Sequence, residues 1–195
     1  MKNQTKLLKL ILSALFLAIS YVLPFLTGQI PEIGSMLCPL HIPILLCGFI
    51  CGWPWGLTMG FIAPLFRSLT LGIPLFFPNA VCMTFELAAY GAIAGIMHKL
   101  LPRKKPYIYF SLLTAMLVGR IVWGVSMFIC MGIKGNGFTF AAFISGAFTG
   151  ALPGIIVQII LVPILVILLD NFKILKERKT VWSQTNIILN FRQYS

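Results

Sequence analysis

Three ionisable residues, Arg67, Glu86 and Arg120, stand inside three separate apolar stretches of this sequence. Each costs about 2.5–3.5 kcal/mol at the centre of a membrane helix even on lenient insertion scales, so each is expected to have a partner or a task. Glu86 follows Pro78 by eight residues and Arg120 precedes Met131 by eleven, which puts them about 12 Å and about 16 Å below the same ends of their helices. At such similar depths an ion pair is sterically reasonable and relieves much of the cost of burying either charge. Two readings stay open. Either the pair is structural and needs no ligand, or one or both groups turn toward a cavity and bind a polar solute.

Arg67 stands four residues before Leu71, about 6 Å inside the boundary. It either snorkels to water or faces inward. An inward Arg67, counted with Arg120 and Glu86, leaves an interior charge of plus one. That charge favours a carboxylate-bearing or otherwise anionic solute, which guanidinium grips through two parallel hydrogen bonds. Near the same level come Asn79, His41 in the segment Pro39-Leu40-His41-Ile42-Pro43, and Trp123, three residues beyond Arg120 and on nearly the same helix face. Gln158, in the last apolar run, is polar where an apolar residue is cheaper; it either completes a cavity or makes one interhelical hydrogen bond.

The elements that must position these residues are membrane helices. At 59% hydrophobic and 10% charged residues, with a mean hydropathy of +0.97, 195 residues carry more apolar surface than a soluble domain buries. Apolar runs at 6–26, 37–52, 54–71, 78–100, 106–131 and 141–170 predict an all-α integral membrane protein, a bundle of six transmembrane helices over residues 1–170. The first run is too long for a removable signal peptide and lacks its cleavage site. The two short runs, 37–52 and 54–71, barely span a core of about 30 Å and form a re-entrant hairpin if they do not cross. Residues 171–195 read as a basic and polar cytoplasmic tail.

The net charge of +11 is not a nucleic-acid surface. Lys2, Lys6 and Lys9 precede the first run; Lys99, Arg103, Lys104 and Lys105 fill one mid-chain loop; Lys173, Lys176, Arg178, Lys179 and Arg192 follow the last run. Only Lys134 falls in a loop on the opposite side, so both termini are expected in the cytoplasm. The opposite connections, rich in Gly and Pro, suit loops lying over the outer mouth of the bundle or simple linkers. Five cysteines without disulfide spacing read as small packing residues. No Walker loop, HExxH, catalytic carboxylate pair or nucleophile elbow is present, so no enzyme, metal or cofactor is expected and a partner must supply energy for transport. In the first run Ala14 and Ala18 form a small-xxx-small face on which another helix can approach closely.

Taken together, Pro39-Leu40-His41-Ile42-Pro43, the turn Gly48-Phe49-Ile50-Cys51-Gly52-Trp53-Pro54-Trp55-Gly56, Pro64-Leu65-Phe66-Arg67-Ser68, Phe85-Glu86-Leu87-Ala88-Ala89-Tyr90-Gly91 and Gly119-Arg120 resemble the substrate-binding S components of energy-coupling factor (ECF) vitamin transporters. The resemblance covers about residues 7–170 and is greatest to the pantothenate-type branch. It implies a cell-membrane subunit that binds a vitamin from outside. It further implies a transmembrane coupling subunit docking on the Ala14/Ala18 face and two ATPase subunits that drive release. From other classes, a scaffold or signalling subunit held by Glu86 and Arg120 and a stand-alone secondary transporter are the alternatives; scarce carboxylates and the lack of a repeat between the halves disfavour the latter.

Overall fold

The computed structural model describes residues 2–27, 38–102, 105–135 and 137–169, and among them there is no strand. Helix α1 spans Lys2–Val22 and runs into a 3-10 turn, Leu23–Thr27. Helix α2 is His41–Cys51, α3 is Trp53–Leu71, α4 is Val81–Leu100 and α5 is Lys105–Ile133. A π-helical turn, Phe76–Ala80, leads into α4. The last apolar run is divided into α6, Phe140–Ile144, a π-helical stretch, Ser145–Thr149, and α7, Leu152–Leu169. Pro153 explains part of that division, because it offers no N–H to continue the preceding turns into α7. The connection 28–37 and the tail from residue 170 onward lie outside the described residues.

Among the described residues, four segments are long and apolar enough to cross a membrane: Lys6–Phe25, Phe76–Leu100, Lys105–Ile133 and Leu152–Leu169. Helix α3, at 19 residues, is about 28 Å long. Helix α2 differs from the apolar run 37–52. Its 11 residues extend only about 16 Å, half of a hydrocarbon core. Its ends are set locally. The His41 N–H donates to the Cys38 carbonyl, Pro43 sits in the first turn where a missing N–H costs nothing, and Gly52, at φ +98°, turns the chain directly into Trp53-Pro54. Gly72, at φ +70°, closes α3 by donating its N–H to the Ser68 carbonyl.

Polarity runs opposite to that of a soluble protein. Leu69, Leu117, Phe128 and Ile160 are exposed, whereas Ser13, His41, Arg67, Glu86, Arg120 and Gln158 are buried. Large apolar side chains facing outward over several helices need lipid as their solvent, and buried polar groups then find partners inside the bundle. The chain is a membrane-embedded, all-helical protein.

Three helices meet backbone to backbone at its centre. A Cβ added at Gly48 of α2 or Gly56 of α3 would collide with the Gly91 carbonyl of α4, one at Gly60 with the Leu87 backbone, and one at Gly95 with the Trp53 backbone. In lipid no hydrophobic force draws helices together, so close van der Waals approach across small residues holds them. These contacts also fix register. With Gly56 against Gly91 and Gly60 against Leu87, the antiparallel α3 brings Arg67 level with Ala80. Helix α1 packs on α2 and α3, burying Ser13, Phe16 and Ser20 while Ala14, Leu15, Ala18 and Ile19 stay exposed; α5 packs on the other side of α4.

Candidate functional site

An apolar floor lies across the bundle where Leu45 of α2, Leu87 and Tyr90 of α4, Met116 of α5 and Val162 of α7 join one buried cluster. Residues four apart share a helix face. One turn from Leu45, Met116 and Val162, toward the end that carries the 72–80 and 134–139 connections, stand His41, Arg120 and Gln158, all buried. Glu86 of α4, four residues before Tyr90, is buried with them. Four helices therefore change from apolar to polar at one level, and that layer holds four of the sequence-derived candidates.

Glu86 is its centre. Its Oε1 accepts from Arg120 Nη1 at 2.9 Å and lies 3.3 Å from His41 Nε2. The matched depths read from sequence thus correspond to a real ion pair, and His41 joins it on the same oxygen. Arg120 Nη2 reaches Cys38 Sγ at 3.7 Å. The Tyr90 ring meets the His41 ring edge-on at 4.9 Å and covers the α-carbon of Gly119, where any side chain would strike it. Charge is balanced at this level by Glu86 against Arg120, but hydrogen bonding is not complete. His41 Nδ1, Tyr90 Oη, Arg120 Nε and both amide atoms of Gln158 are buried without a partner among the described residues.

Arg67 is separate from this cluster. From its register opposite Ala80, it stands six residues and about 9 Å from the level of Glu86. It does not snorkel. At 4% exposure it donates from Nε to the Ile73 carbonyl at 3.1 Å, beside Ser68, whose hydroxyl donates to the Pro74 carbonyl at 2.8 Å. The two side chains clamp the α3–α4 connection. Arg67 Nη1 remains without a partner, and no acidic residue pairs with Arg67 among the described residues.

The remaining candidates lie around the mouth. Trp123 is half-buried, stacked on Phe143 at 6.4 Å and edge-on to Phe138 at 6.2 Å, so it belongs to an aromatic group joining α5 to α6. Gly124 and Gly146 make room for the Phe143 and Trp123 rings respectively. Lys134 lies over the Phe77 ring at 5.6 Å, tying the α5–α6 connection to the α3–α4 connection. Asn79 is exposed in the π-helical turn before α4. Ala14 and Ala18 are exposed on α1, away from this region. Cys47 is buried against Ser13, Sγ to Oγ 3.6 Å, and among the described residues no three metal-binding side chains converge.

Two participants escaped the sequence reading. Tyr90 carries the helical signal of standing four residues after Glu86, but an apolar-looking Tyr in a membrane run reads as an interfacial or packing residue. Cys38 precedes α2 and meets Arg120 only through the fold, so spacing gave no signal.

The arrangement is a buried layer of donors and acceptors, with a guanidinium that has no acidic partner among the described residues nearer the 72–80 connection, and it is suited to holding a small polar molecule. Among curated proteins and among solved structures, none matches the chain. The family model described as the ECF transporter, substrate-specific component, matches residues 8–166, a stretch that contains every residue of this site. The chain therefore belongs to the family of ECF transporter substrate-specific components, the substrate-binding subunits of membrane uptake systems rather than enzymes.

Proposed function

We propose that this protein is the high-affinity receptor of a vitamin uptake system, a multi-pass protein of the cell membrane with both termini in the cytoplasm. Its favoured substrate is pantothenate or another anionic vitamin. Arg67 is the observation that carries the anionic preference: a guanidinium at 4% exposure with one nitrogen unpartnered and no described acid beside it. Glu86 and Arg120 neutralise each other, so the uncompensated charge belongs to Arg67. Asn79, His41, Trp123 and Gln158 complete the contacts, with the aromatic group and the Lys134–Phe77 contact as the roof. Energy comes from two ATPase subunits through a transmembrane coupling subunit docked on the Ala14/Ala18 face.

The test is equilibrium binding of pantothenate and of pantothenol, its uncharged alcohol analogue, to purified protein in detergent. A charge-assisted hydrogen bond is worth about 1.5–3 kcal/mol, so pantothenate should bind about 10- to 100-fold more tightly than pantothenol. Arg67→Met should remove that preference. Equal affinity for both in the wild type defeats the anionic reading. A scaffold role is favoured by one observation, the mutual satisfaction of Glu86 and Arg120, and it gains if no vitamin binds at submicromolar concentration.

A further inference from the structure

Gln158 has a distinct position. It is fully buried, on the same face of α7 as Val162 and Val166, and neither its carbonyl oxygen nor its amino group has a partner among the described residues. Buried side-chain amides without hydrogen bonds are rare, because losing water without replacement costs several hydrogen-bond equivalents of free energy. A glutamine amide presents one acceptor and one donor side by side in a plane. Its complement is a group that also carries a donor beside an acceptor, an N–H on the same side as a carbonyl, as in a primary amide, a lactam, a cyclic ureido group or the edge of a heterocyclic imide; an open-chain secondary amide is trans and points the two apart. A carboxylate alone, an ether or a hydrocarbon ring satisfies at most half of it.

The surroundings agree with an uncharged partner at this depth. Glu86 and Arg120 cancel, and the other unpartnered buried atoms of this layer include His41 Nδ1 and Tyr90 Oη, both hydrogen-bonding atoms. Arg67, a buried charge with no acidic partner among the described residues, is about 9 Å nearer the end that carries the 72–80 connection. We propose that Gln158 reads an amide-type edge of the substrate, N–H beside C=O, by a paired hydrogen bond. The substrate class is then a lactam-, cyclic ureido- or imide-bearing small molecule whose neutral end lies deepest. This rests on the reading that the chain binds a vitamin, and within it favours an edge-bearing vitamin over pantothenate, whose secondary amide is trans.

A site built to hydrogen-bond a group rejects analogues without it far more strongly than an apolar pocket rejects a size mismatch. The experiment is titration of purified protein with biotin and riboflavin, which carry such an edge, and with pantothenate, nicotinate and lipoate, which do not. Gln158→Leu is measured alongside. At least one edge-bearing probe should bind the wild type tenfold or more tightly than every edgeless probe, and Gln158→Leu should lose at least tenfold for that probe. Thermal unfolding without ligand separates recognition from structure. An amide with no protein partner is not needed for folding, so Gln158→Leu should unfold at the same or a higher temperature while losing the shift that the probe induces in the wild type.

Binding of that probe within twofold of wild type in Gln158→Leu would overturn the assignment and mean that the amide serves a bound water or nothing. So would tightest binding of pantothenate, nicotinate or lipoate, or a lower unfolding temperature of the ligand-free variant. These outcomes leave the receptor reading intact. A wild type that binds none of the probes overturns both.

Discussion

Glu86 is the residue on which the interior depends, because two side chains from different helices converge on one of its oxygens. Removing one member of a buried ion pair leaves the other charge stranded, which costs about 3–5 kcal/mol, whereas replacing both by apolar groups is often neutral or stabilising. Glu86→Gln is therefore expected to destabilise the protein by about 3–5 kcal/mol in thermal or denaturant unfolding in detergent. The double variant Glu86→Leu/Arg120→Met should recover most of the loss. Substrate affinity in the double variant then separates the two readings left open by the sequence: retained affinity means a structural pair, and lost affinity means that the pair touches the ligand. The pair was legible because both residues can be counted from Pro- and Gly-marked helix ends. His41's part in it was not, since a histidine in a Pro-flanked segment carries no signal of the partner that another helix brings.

At the scale of the elements, glycine decides which helices meet. The Gly91 backbone is met by Gly48 of α2 and Gly56 of α3, and a Cβ at Gly91 itself would strike the Gly56 backbone, so Gly91→Ala must push α3 away from α4. Overpacking of this kind costs about 1–3 kcal/mol, and here it acts on backbone that cannot rotate away. Gly91→Ala should lower the unfolding temperature, while Gly132→Ala, in open space near the end of α5, should leave it unchanged. Equal stability of the two variants would contradict the close three-helix contact. The positions of the long apolar runs were readable from hydropathy, and α1, α4 and α5 follow them closely. The shortness of α2 was not readable, because its sequence stays apolar on both sides of Pro39 and hydropathy does not register where a turn begins. The interruption before Pro153 was legible only in that proline, because the π-helical stretch ahead of it, with Trp123 against Gly146, carries no signal in hydropathy.

For the whole molecule, the contrast between α1 and α2 matters most. Helix α1 touches the bundle along one side and leaves Ala14, Leu15, Ala18 and Ile19 uncovered. Small residues on an uncovered membrane-helix face admit a partner helix at close range. Ala14→Trp or Ala18→Trp is thus expected to abolish co-purification with the coupling subunit and the two ATPases while leaving vitamin affinity of the isolated protein within about twofold, well under the 1.4 kcal/mol of a tenfold change. Co-purification at wild-type yield would exclude this face as the docking surface. Helix α2 is the reverse: nearly every residue from His41 to Cys51 is buried, so it has almost no boundary with lipid. A helix of about 16 Å does not bridge the hydrocarbon core and is not released into lipid as a unit on its own. Apart from α1, its environment is made of residues that leave the ribosome after it, including Gly56, Gly91, Arg120 and the apolar side of α7. The polar layer is consequently a product of assembly order: His41 acquires its carboxylate only after α4 has been made, and the part of the chain that starts the site is among the last to be enclosed.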